Sequence, residues 1–117
     1  MRLFRKGYEL TLNRVQDTVT FKEGNEKLTL HVSGDSFRMV AGINKVNTKL
    51  KAFNDDTKDE EYIDTARLFA SVIFGSEQAE KLFTFYANDP GCIIAACGNY
   101  FKERLAVLIA KQQKKLK

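Results

Sequence analysis

Few residues in this chain could do chemistry. His31 is the only histidine, and Cys92 and Cys97 are the only cysteines. Nucleophilic catalysis through an imidazole needs the ring beside a serine or cysteine. His31 instead falls on the polar side of an alternating segment, near Thr18 and Thr20, where an ordinary surface residue is expected. A structural zinc site draws on about four Cys or His ligands, and three such residues in two distant places do not supply one. No glycine run closed by a lysine precedes a helix, so no phosphate loop is present; Gly24, Gly34 and Gly75 read as turn and cap residues. Asp55, Asp56, Asp59, Glu60, Glu61 and Asp64 could pair carboxylates, but they occupy a loop and a first helical turn, where water and the helix dipole account for them. The expectation is a protein without catalytic residues, metal or cofactor.

What remains is aromatic and cationic. Phe83, Phe85, Tyr86, Tyr100 and Phe101 sit among helix-spaced aliphatics, and the chain then runs into Lys111, Gln112, Gln113, Lys114, Lys115, Leu116 and Lys117. Phe74, Phe85 and Tyr100 fall off the main apolar stripes, and one small core does not enclose both faces of two successive helices. Leftover apolar faces meet partners. The five aromatics are therefore the expected partner-binding residues, with Lys111, Lys114, Lys115 and Lys117 as electrostatic contacts. The same lysines, with Arg2, Arg5 and Lys6, support an alternative, a small basic protein that binds nucleic acid through phosphate contacts. No recognition helix or stacking platform frames the aromatics for that role.

The elements that must position these groups follow from periodicity. Tyr8, Leu10 and Leu12 alternate with polar residues, as do Val19 and Phe21, and then Leu28, Leu30 and Val32 beyond the turn chemistry of Glu23-Gly24-Asn25-Glu26. Pairing Lys22 with Lys27 sets Phe21 opposite Leu28 and Val19 opposite Leu30, so all apolar groups share one face. After Ser33-Gly34-Asp35-Ser36, the spacing of Met39, Ile43, Val46, Leu50 and Phe53 predicts an amphipathic helix. Thr57 with Glu60 reads as a capping box for a second helix that buries Tyr62, Ala66, Phe69 and Ile73 and stops at Gly75. Ser76 caps a third, with Ala79, Leu82, Phe83 and Tyr86 apolar. Asp89-Pro90 opens a fourth that carries Ile94, Cys97, Phe101, Leu105, Leu108 and Gln112, with Gly91, Ala95, Ala96 and Gly98 small enough for close backbone approach. The predicted fold is α+β: an N-terminal β-hairpin or small antiparallel meander followed by about four helices, mostly helical. It forms one domain over residues 1–117, with the hairpin region at 8–32, the helical region at 36–113 and a basic tail at 111–117.

Composition agrees. With 117 residues, 44% apolar, 29% charged and one proline, the chain is sized for a single core. The net charge of +4 hides basic ends around an acidic middle, which favours self-association or an acidic partner. Cys92 and Cys97 lie five apart on one helix and point in different directions, so reduced, buried thiols in a cytosolic setting are expected. The N-terminus has no secretory apolar core, and no window approaches the ~20 apolar residues of a membrane span.

The order of parts resembles the small tail assembly chaperones of long-tailed bacteriophages and prophages. The likeness runs over residues 15 to 117: a turn reading Phe-Lys-Glu-Gly-Asn-Glu-Lys-Leu, a helix opened by Gly-Asp-Ser-Phe, an acidic gap, and the phrase Phe-Gly-x-Glu-Gln-x-Glu-Lys-Leu from Phe74 to Leu82. The resemblance implies a cytoplasmic, non-enzymatic protein that binds apolar segments of the tape measure protein and helps tail tube subunits polymerise around it. It also implies a short form and a frameshift-extended form. The segment at Tyr8 to Leu12 and the cysteines of the last helix have no place in that pattern.

Overall fold

The computed structural model describes residues 14–114. The strand expected at Tyr8 to Leu12 and the cations Arg2, Arg5, Lys6, Lys115 and Lys117 lie outside the described residues. Strands β1 (Arg14–Glu23) and β2 (Glu26–Asp35) form a two-stranded antiparallel hairpin with Phe21 opposite Leu28 and Val19 opposite Leu30. Pairing runs one step further than expected, to Glu23 opposite Glu26, which leaves Gly24 and Asn25 as a two-residue turn. Gly24 takes a φ of 62° at the first turn position, as a type II′ turn requires. Val15, Phe21, Leu30 and Val32 point inward and are buried, while Gln16, Thr18, Thr20 and Lys22 are exposed.

Helix α1 (Ser36–Lys51) starts where Asp35 accepts a hydrogen bond from the Phe37 N–H at 2.8 Å, and it buries Met39 and Val46. Helix α2 (Asp59–Phe74) is the central element, with Ala66 and Ala70 wholly enclosed and α1, α3, α4 and β2 all packed against it. The capping box does not form: Thr57 Oγ1 instead accepts from the Asn54 N–H within the preceding loop, and Lys58 takes the N-cap position. Gly75, with φ of 85°, both ends α2 and starts α3 (Ser76–Phe85), so Ser76 is the first helical residue rather than the cap. Asp89 caps α4 (Pro90–Tyr100) as expected, accepting from the Gly91 N–H at 2.9 Å. The close approach expected at Gly91 and Gly98 occurs elsewhere. A Cβ on Gly98 would meet nothing, whereas one on Gly42 of α1 would lie 2.6 Å from a Val72 methyl of α2.

The last helix contains a π-helical turn at Phe101–Leu105 before continuing as α5 (Ala106–Lys114). Its buried residues are Ile93, Cys97, Tyr100, Leu105 and Ile109. Spacings of four, three, five and four replace the expected stripe through Ile94, Phe101 and Leu108 because the π turn inserts one extra residue. Tyr100 continues the face of Ile93 and Cys97 at ordinary helical spacing, the insertion carries that face on to Leu105 and Ile109, and Phe101 is half-buried.

Candidate partner-binding surface

Two of the five expected partner-binding aromatics are interior residues. Phe83 is 2% exposed and Tyr100 9% exposed. For Tyr100 the hairpin is the reason, because its inner face covers the side of the helices that a purely helical core would leave bare. Phe21 of β1 meets Phe74 edge-on at 5.7 Å and Tyr86 at 6.3 Å, and Phe74 stacks on Tyr100 at 6.1 Å. Arg67 lies over the Phe83 ring at 4.4 Å and pairs with Glu80, closing that site from outside. Phe85, Tyr86 and Phe101 remain half-buried, with Phe85 edge-on against Tyr86 at 5.0 Å.

The position of α5 is set by a contact between β1 and the π turn. Asp17, on the inward face of β1 with its side chain 7% exposed, accepts from the Tyr100 hydroxyl at 2.8 Å. It also accepts both arms of the Arg104 guanidinium, Nε at 2.5 Å and an Nη at 2.9 Å. These bonds, those from Arg104 first, hold the Asp17 carboxyl below its ordinary value of 3.8 against the opposing effect of burial. Burial and the Asp17 contact push the Tyr100 phenol up.

Held this way, α5 has a groove on either side. One, of about 160 Å3, runs between α1 and α5 and is walled by Val40, Ile43, Phe101, Ala106 and Ala110, with Gln113 at its end. The other, of about 420 Å3, lies between β1 and α5 and is formed by Val15, Gln16, Leu108, Lys111, Gln112 and Lys114. Val107 stands on the crest between them and is 52% exposed. Phe37, one helical turn before Val40, is 51% exposed. The chain matches no family model, no curated protein and no solved structure.

Sequence reasoning selected Phe101, Lys111 and Lys114 of this surface and missed Phe37, Val40, Ile43 and Val107. Phe37 carried a readable signal, since it lies off the stripe through Met39 and Val46.

The residues able to do chemistry are not drawn together. His31 is exposed, its Nδ1 3.4 Å from Thr18 Oγ1. Cys97 is buried, and burial pushes its thiol up to about 12. Cys92 is exposed, contrary to expectation, because the N-cap places it on the outer side of the first turn of α4. Its Sγ donates to Asp89 Oδ2 at 3.4 Å, and that bond raises its pKa, the reverse of what a nucleophilic thiol requires. Both are free thiols. Among the described residues no group of His, Cys, Asp and Glu is arranged to hold a metal ion, and no helix is long and apolar enough to cross a membrane.

Proposed function

We propose that this chain is a non-enzymatic tail assembly chaperone of a long-tailed bacteriophage or prophage. It acts in the bacterial cytoplasm, holding apolar segments of the tape measure protein in solution while tail tube subunits assemble around them. The observation that carries this reading is the double groove about α5, apolar on its walls, with Phe37 and Val107 in water beside it and lysines on its rim. An apolar client docks on such a surface through side chains at helical or strand spacing, and the flanking charges keep the complex soluble.

The phrase that carries the resemblance also has a structural role. Gly75 makes the α2–α3 corner, and Glu80 pairs with Arg67. The Gln78 side-chain amide donates to the carbonyls of His31 and Phe74 at 2.6 and 2.8 Å and accepts from the His31 N–H at 2.9 Å. The phrase therefore encodes the joint between helices and hairpin that any protein of this layout would need.

The test is co-expression with the tape measure protein encoded beside this gene. The reading expects that protein to move from the insoluble to the soluble fraction and to co-purify with this chain. A tape measure protein that stays insoluble, or a gene neighbourhood without tail genes, defeats it. A second reading, nucleic-acid binding, draws on the outer face of the hairpin, where Lys22 and Lys27 stand directly opposite each other beside a ladder of threonines. Like charges paired across strands are unfavourable unless an anion joins them. Titration with duplex DNA at low and moderate salt separates the two, because phosphate binding weakens steeply with salt.

A further inference from the structure

The two edges of the hairpin are treated differently. A two-residue turn makes Glu23 and Glu26 a mutually hydrogen-bonded pair, and bonding then alternates along the ladder. The backbone groups of Lys27, Thr29, His31 and Ser33 therefore point away from β1, and those of Gln16, Thr18, Thr20 and Lys22 point away from β2. On the β2 side, the Gln78 amide bonds both the N–H and the C=O of His31 in the manner of a neighbouring strand. On the β1 side, no backbone partner is present among the described residues. An edge of ten residues that is open among the described residues is a template for another strand unless it is blunted by proline, a bulge or cover.

The open edge is continuous with the larger groove, since Gln16 belongs to both and its neighbour Val15 lines the groove. A strand laid beside β1 would direct alternate side chains between Val15 and Leu108 and pass under Lys111 and Lys114. Arg14 stands at the same end, and no acid lines the groove; Asp17, the nearest carboxylate on β1, is already taken by Arg104 and Tyr100. We infer that the β1 edge is a strand-addition site for an extended partner segment, apolar at alternate positions and acidic at the end that reaches Lys111 and Lys114. Backbone bonds to Gln16, Thr18 and Thr20 supply the grip, and the groove and its lysines supply the selection. This deepens the reading of the chain as a holder of other polypeptides by naming the chemistry of the segment held.

The experiment uses the full chain and a blocked synthetic peptide in which valine alternates with threonine between glutamate ends. Amide NMR is expected to show slowed exchange at Gln16, Thr18 and Thr20 when the peptide binds. A peptide with N-methyl groups on alternate residues should not bind, and one with lysine ends should bind at least ~10-fold more weakly. Thr18→Pro removes one outward donor at a position where an edge strand tolerates proline, so it should abolish binding with the spectrum of the helices unchanged. Should it unfold the protein, Lys111→Glu with Lys114→Glu replaces it and should weaken the glutamate peptide while strengthening the lysine one. The inference is overturned if the peptide does not bind, if the N-methylated peptide binds equally, if changes map to Val40 and Phe101 instead, or if the Thr18 and Thr20 amides are already protected in the free protein. Success here with failure of tape measure co-solubility would retain the edge site and remove the phage reading; the reverse would retain the phage reading and remove the edge site.

Discussion

Asp17 shows what a single residue contributes to this molecule. Between Val15 and Val19 on the inward face of a strand, a carboxylate would be costly to bury alone, and its three hydrogen bonds to Tyr100 and Arg104 are what make the position tenable. Asp17→Asn keeps the shape but removes the charge and turns one acceptor into a donor facing donors. We expect a loss of about 1–3 kcal/mol in urea unfolding near neutral pH. Because the native carboxyl titrates below its ordinary value of 3.8, its stabilisation is fully present above that value and fades as pH falls below it. The wild type should therefore lose more stability than Asp17→Asn between pH 5 and pH 2. Parallel acid slopes for the two proteins would show that the contact contributes nothing. Asp17 could be seen in the sequence as a break in an apolar alternation, but its partners lie 83 and 87 residues away, beyond any local pattern.

At the scale of elements, legibility followed period. The hairpin register could be read because a slip of one residue would turn Phe21, Leu28 and Leu30 into water, so only one pairing buries them together. Asp89-Pro90 could be read because cap and proline chemistry are local. The π turn could not: its insertion alters the period itself, and a reading built on spacings of three and four places Phe101 inside and Tyr100 outside, whereas Tyr100 is buried and Phe101 only half-buried. The candidate surface suffered for the same reason, since two of its expected residues belong to the core that the π turn and the hairpin complete. Close helix approach was expected at Gly91 and Gly98 of the last helix and is found instead at Gly42 of α1, because a small residue declares room for a neighbour without saying whether one arrives. Gly42→Ala tests the contact found. Its new methyl would fall within 2.7 Å of both Val72 methyls, and relief requires the helices to part. About 1–3 kcal/mol of destabilisation is expected by thermal or urea unfolding, whereas Gly98→Ala, in open space within a helix, should be neutral or stabilising.

The whole molecule joins a well-enclosed core to a surface that is apolar in one region. Phe37 and Val107 are the large apolar side chains most in water among the described residues; Val107 is on α5, between the residues that line its two grooves, and Phe37 is one helical turn from Val40 of the smaller groove. Isolated exposed apolar residues need no explanation, but exposed apolar residues on the same helices as two apolar grooves do. Replacing Phe37 and Val107 together with serine removes apolar area from the docking face and almost none from the core. Each change should alter unfolding free energy by no more than about 0.5 kcal/mol. If the surface holds a client, the double variant should fold like the wild type by circular dichroism and melt at nearly the same temperature, yet leave most of a co-expressed tape measure protein in the pellet. Phe83→Ala provides the contrast, because its 2% exposure makes it a packing residue whose loss should cost about 3–5 kcal/mol. A double variant that keeps full client solubility would move the binding face away from α5, and with it the observation on which the chaperone reading rests.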